Sequence, residues 1–104
     1  MNIVKIPFRP AFKKSMLSGV KVCTARTKRM GTGGDRFQAF GAWFDLKSVE
    51  DVALWEVKLL WREEGCTSPD HFIQVWNSIH PKKGYSDTQR VYLHRFQRVN
   101  HEEA

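Results

Sequence analysis

The apolar positions of this chain fall into short runs whose period changes from one segment to the next. Ile3-Val4-Lys5-Ile6 alternates and predicts a first strand over residues 3–6, which Pro7 and Pro10 keep from continuing. Pro10 suits the first turn of a helix, where its missing N–H is no loss. Phe12, Met16 and Leu17 then share one helical face, Lys13 and Lys14 take the exposed side, and Gly19 supplies a left-handed cap. Residues 21–27 are β-prone, and residues 28–35 form a glycine-rich loop ending in a Gly34-Asp35 turn. Residues 37–46 read as one strand with apolar residues on both faces. Ala53, Trp55, Val57, Leu59 and Trp61 alternate with Glu56, Lys58 and Arg62 opposite, which predicts a further strand with both Trp in the core.

Glu63-Glu64-Gly65-Cys66 closes that strand. Thr67 or Ser68 can cap the next helix, with Pro69 at its first position and Asp70 in its first turn. Phe72, Val75, Trp76 and Ile79 then follow helical spacing until Pro81. After a polar loop over 82–89, residues 90–99 predict a last strand with Tyr92, His94 and Phe96 on one face, and residues 100–104 a frayed tail. Strands joined by short turns, with two interrupting helices, predict an α+β fold: a small, mostly antiparallel β-barrel flanked by two helices. At 104 residues the chain is expected to form one domain, since two cores would each be too small to offset their ordering entropy.

Composition narrows the class. The apolar runs are too short for a membrane span and no charged-then-apolar leader opens the chain, so a cytoplasmic protein without membrane attachment is expected, with a monomer favoured. Cys23 and Cys66 show no CxxC spacing and the four His are scattered. Two reduced, buried thiols are expected, with no metal and no cofactor. The net charge of +6 is unevenly spread. Residues 1–36 carry nine Lys or Arg against one acid, Asp35, whereas residues 45–70 carry seven acids against three bases. That asymmetry attracts polyanions to one side and favours a nucleic-acid partner over an ordinarily solvated surface.

The chemistry concentrates in Gly19-Val20-Lys21-Val22-Cys23-Thr24-Ala25-Arg26, where cationic and hydroxyl groups stand beside a turn. Strand alternation puts Val22, Thr24 and Arg26 on one face and Lys21, Cys23 and Ala25 on the other. Lys21 and Thr24 therefore meet only if Lys21 lies in the turn before the strand, or if the strand is bulged. The glycine loop lacks both the P-loop spacing and the dinucleotide fingerprint, so no nucleotide cradle is assigned there.

This motif, together with Gly34-Asp35, Glu63-Glu64-Gly65 ahead of Ser68-Pro69-Asp70-His71-Phe72 and Trp76, and the closing Val91-Tyr92-Leu93-His94-Arg95-Phe96, resembles the ASCH domain family of the PUA-like superfamily. The resemblance spans nearly the whole chain. It implies a PUA-like barrel whose cleft is associated with RNA or modified nucleosides. One bacterial branch comprises amidohydrolases acting on N4-acetylcytidine, and its catalytic Lys and Thr carry over onto Lys21 and Thr24. The branch's glutamate position in the later helix is held here by His71, beside Asp70.

Two readings follow. In the first, Lys21 and Arg26, with Lys28 and Arg29, contact phosphates, while Thr24 and the glycine loop read a base edge. An aromatic from Trp43, Tyr85 or Tyr92 stacks on the base. In the second, Lys21 is the base, Thr24 the nucleophile of an acyl transfer, and Glu64, ahead of Asp70, the acid, with Arg26 stabilising developing charge. Each residue also has a plainer role. Thr24 suits a strand for its β-propensity, and Arg26 and Glu64 can form a structural ion pair.

Overall fold

The computed structural model describes residues 1–99, and the expected tail lies outside the described residues. A 3-10 turn, Pro10–Phe12, leads into α1, Lys13–Leu17. Then come β1 (Cys23–Arg26), β2 (Arg36–Ala39), β3 (Ala42–Ala53), α2 (Leu54–Leu59), α3 (Pro69–Ile79) and β4 (Arg90–Arg98). The strands form one antiparallel sheet in the order β1-β4-β3-β2, curled into a half-barrel, and β1 is one of its two edges. The long β3 is kinked where its register against β4 shifts between Leu46 and Ser48, leaving Lys47 as the extra residue that lets a twelve-residue strand bend.

Each sheet face has its own core. On one, Ile6, Met16, Phe37, Phe44, Leu46 and Phe96 pack together. On the other, Cys23, Leu54, Val57, Cys66, Phe72, Trp76, Val91 and Leu93 do. Alternation along β4 supplies both, Val91 and Leu93 to the second and Phe96 to the first. Cys23 and Cys66 are free and buried.

Five expectations need correction. Residues 3–6 make only an isolated parallel bridge, Ile3 to Arg36, because the prolines that follow prevent a ladder. Residues 37–46 are a hairpin, not one strand. Phe40 and Gly41 both take positive φ, 52° and 78°, the conformation that two-residue hairpin turns need for their twist. The strand expected over 53–61 is α2. Leu54 and Val57, three apart, are its buried residues, and the Glu56 carboxylate accepts from the Ala53 N–H at 2.8 Å, satisfying a donor at the helix start. Trp55 is accordingly 46% exposed rather than in the core, and three helices flank the sheet instead of two. Among the described residues, no helix is long and apolar enough to cross a membrane.

Candidate functional site

The connection from α1 to β1 decides the site. The N–H groups of Val20 and Lys21 both donate to the Ser15 carbonyl at 2.9 Å, folding the chain back on the helix before the strand starts at Cys23. Lys21 thus stands outside β1, and strand alternation does not separate it from Thr24. Both side chains line one cleft, and both are buried, at 2% and 5% exposure.

Lys21 is held from three sides. Its Nζ donates to the Cys23 carbonyl at 2.9 Å, the Glu64 carbonyl at 2.7 Å and Glu64 Oε2 at 2.8 Å. Three acceptors match the three N–H donors of an ammonium, and the Phe12 ring lies 4.4 Å from the charge. Glu64 is equally occupied. Its Oε1 accepts at 2.9 Å from the Ala25 N–H, on the edge of β1 that no strand covers. Gly65, at φ +85°, permits this approach, since a Cβ there would come within 3.0 Å of both the Lys21 Cβ and the Ser15 hydroxyl.

Thr24 and Arg26 form a second pair, Arg26 Nε donating to Thr24 Oγ1 at 3.2 Å. The guanidinium also donates to the Pro7 carbonyl and lies 4.9 Å from the Phe8 ring centroid. Burial pulls the Arg26 pKa below its ordinary value, while Glu64 opposes the shift.

The cleft over these two pairs has a volume of about 620 Å³, within the range typical of small-molecule sites. Its walls are apolar: Pro7, Phe8 and Phe12 from the N-terminal segment, and Phe72, Val75 and Trp76 from α3. Trp76 is 4% exposed and its indole N–H has no hydrogen-bond partner among the described residues. Arg9, Lys28 and His80 also line it. Burial, together with the charges of Arg9 and Lys83, holds His80 below its ordinary pKa.

Of the residues singled out in the sequence, Lys21, Thr24, Glu64, Arg26 and Lys28 converge on this cleft, while Arg29 and Tyr85 do not line it. The Tyr85 backbone N–H donates to Asn77 and its hydroxyl to Asp87 at 2.6 Å, burial pushing the phenol pKa up, and the ring packs against the core beneath α2. Trp43 and Tyr92 are likewise outside the lining. The aromatic walls were missed because Phe12 and Trp76 read as core positions of their helices. The available signal was the pair of prolines stiffening Pro7-Phe8-Arg9-Pro10 beside the basic motif.

The remaining titratable residues near the cleft are structural. His71 caps α3, its Nδ1 accepting from the Thr67 N–H at 3.0 Å. Asp35 pins the glycine loop, accepting from the Thr32 N–H at 2.9 Å and the Asn2 N–H at 3.3 Å, and these bonds to charged oxygen, Thr32 foremost, hold its pKa down. Burial raises both thiol pKa values, that of Cys66 to about 11, with the Glu64 charge adding to each, so neither is a reactive thiolate. No group of three His, Cys, Asp or Glu among the described residues could hold a metal ion.

The curled sheet with its flanking helices is an ASCH-like fold. An ASCH domain from Lactobacillus crispatus JV V101 superposes with a TM-score of 0.62 at 11% identity, covering 96% of this chain and 80% of that one. Hypothetical protein PH0355 superposes with a TM-score of 0.63 at 14% identity, covering 88% of this chain and 94% of that one. At such identities the likeness concerns the fold. No family model matches the sequence, and no curated protein matches it.

Proposed function

We propose that this protein binds RNA or a modified nucleoside, with an unpaired base entering the cleft between the N-terminal segment and α3. The observation carrying this reading is the composition of the cleft: aromatic and proline walls over a floor of Lys21, Thr24, Glu64 and Arg26. A base is a flat apolar body with a polar edge, and such walls and floor suit its two parts separately. The ion pair of Lys21 with Glu64 cancels charge at the floor, so the net positive charge lies at Arg26, Arg9 and Lys28. That distribution suits a neutral base inside and phosphates outside.

The test is titration of the protein with cytidine and with single-stranded RNA, followed by tryptophan fluorescence, since Trp76 lines the cleft. Binding that weakens at least ten-fold in Phe12→Ala, with the variant folded, is expected. Wild-type protein that binds neither ligand overturns the reading.

A second reading is favoured by one specific observation, that Glu64 lies 2.8 Å from Lys21 in the cleft that Thr24 lines. The acyl transfer then runs as follows. Lys21 gives a proton to Glu64 Oε2, because an ammonium with all three N–H groups engaged takes no proton from Thr24. The freed amine accepts the Thr24 hydroxyl proton as the oxygen attacks the acetyl carbon. Arg26 supports the developing oxyanion, and Glu64 protonates the cytidine amine as the C–N bond breaks. Water then hydrolyses the threonyl ester. Incubation with N4-acetylcytidine tests this: conversion to cytidine in the wild type, lost in Thr24→Val, is expected. Equal conversion by Thr24→Val removes the nucleophile, and none by the folded wild type leaves binding alone.

A further inference from the structure

The cleft does not end at α3. A second cavity, of about 500 Å³, adjoins it, and Thr27 and His80 line both. The two differ in chemistry. Where the cleft is walled by rings and prolines, the second groove is polar. It presents Lys83 and Arg90, with the hydroxyls of Ser86 and Thr88, and none of its lining residues is acidic. The one acid of the loop, Asp87, is turned toward the Tyr85 hydroxyl and Lys58.

Lys83 has no ion-pair partner among the described residues. Arg90 uses Nε and one terminal nitrogen on Asp51, at 3.1 Å each, leaving its other terminal nitrogen free. The groove is held in place by the backbone, since the Gln89 N–H donates to Ser86 and the Gln89 carbonyl accepts from the Leu54 N–H at 2.8 Å. Gln89 also lines it, and its side-chain amide oxygen is buried without a partner among the described residues. An unsatisfied buried acceptor costs free energy that a sugar hydroxyl would recover.

We propose that this groove seats a phosphodiester of the nucleotide next to the one whose base occupies the cleft, so that the ligand is a single-stranded polynucleotide rather than a free nucleoside. The inference rests on the cleft reading above and deepens it. Cations and hydroxyls with no carboxylate in the lining itself are the donor set that binds phosphate oxygens, and the shared boundary at Thr27 and His80 makes the groove the continuation of the cleft. The two cavities thereby divide the work, one taking the base and the other the backbone.

The test compares cytidine with hexacytidylate RNA on the full chain, in a salt series, using Lys83→Gln and a matched control, Lys47→Gln, at an exposed position of β3. Hexacytidylate is expected to bind more tightly than cytidine. Lys83→Gln should weaken hexacytidylate on the order of ten-fold and flatten the salt slope by about 0.7, the loss of one phosphate contact on a single strand, and leave cytidine unchanged. Lys47→Gln should change neither. Wild-type affinity and slope in Lys83→Gln, with both ligands still binding, refutes the phosphate seat and spares the cleft. An equal loss in Lys47→Gln reduces the effect to overall charge and refutes it as well. Wild-type protein that binds neither ligand refutes the cleft reading and the seat with it.

Discussion

The two faces of the sheet are built from similar residues and finished differently. On one, Phe37 stacks on Phe44 with ring centroids 5.2 Å apart, and Phe96 meets both edge-on at 5.4 and 5.6 Å. Phe8 packs on that cluster, 5.8 Å from Phe37, and also walls the cleft. Here the rings satisfy one another. On the other face, Phe72 and Trp76 are also buried, yet they wall a cleft, beside a buried ion pair and an indole N–H without a partner among the described residues. The sealed face stabilises the fold. The open face holds in reserve polar groups whose desolvation is offset by a few well-aimed hydrogen bonds, and it is there that a ligand has something to gain.

The largest effects should come from the sealed face. Phe37→Ala removes the ring that touches Phe8, Phe44 and Phe96, and a loss of about 3–5 kcal/mol in unfolding free energy is expected. Denaturant melts check this, and ligand affinity below the transition should stay near wild type. On the open face, Glu64→Gln removes the charge facing a buried ammonium and should cost about 3 kcal/mol. Replacing both partners, Lys21→Met with Glu64→Leu, should restore most of that stability while abolishing ligand binding. Restored binding in the double variant would separate the ion pair from the site.

Much of this division was legible in the sequence. The proximity of Lys21 to Thr24 was tied to two alternatives, Lys21 in the turn before the strand or a bulged strand, and the bonds of Val20 and Lys21 to Ser15 meet the first. α3 was legible because its apolar positions keep helical spacing between Ser68 and Pro81. α2 was not. Trp55 and Leu59 are apolar but exposed, at 46% and 65%, and they imitate a strand's alternation over the true buried pair, Leu54 and Val57. The strong helix formers of Leu54–Leu59 and the position of Glu56, three after Ala53, were the competing signal. The hairpin was hidden because Phe40 takes a positive φ that Asn or Gly usually takes. The cleft walls were hidden for a different reason: a ring's helical position does not reveal whether the facing segment touches it or leaves space.

His94 provides the next smaller effect, and it acts through the glycine loop. The ring is fully buried, Nε2 accepts from the Met30 N–H at 3.0 Å, and Nδ1 lies 3.0 Å from the Tyr92 carbonyl, to which it donates. Burial, helped by the charges of Arg26 and Arg29, lowers its pKa against the bonds to Tyr92 and Thr24 that raise it. The unfolded chain therefore binds this proton more readily than the folded one. Stability from His94 is full above the ordinary histidine value of about 6.5 and is lost as pH falls from there through the folded value. His94→Phe should cost about 1–3 kcal/mol at pH 7.5 by leaving the Met30 N–H unpaired, and should flatten the melting temperature between pH 7.5 and 5. An unflattened profile would assign the acid sensitivity elsewhere.

The smallest effect on stability should have an informative effect on binding. Arg90 and Asp51 pair at 3.1 Å with side chains 61% and 62% exposed, so solvent screens them and Asp51→Asn should change unfolding free energy by less than about 1 kcal/mol. The same substitution removes the one carboxylate that competes for Arg90 at the polar groove. If a phosphate sits there, hexacytidylate should bind Asp51→Asn several-fold more tightly than wild type at low salt, with cytidine unaffected. Glu64→Gln and Asp51→Asn each remove one carboxylate from a cation, one buried and one exposed. The buried change should appear in the melt and the exposed one in the salt-dependent affinity. A tighter grip on cytidine as well would mean that the groove and the cleft are one continuous charge field, with no division between base and backbone.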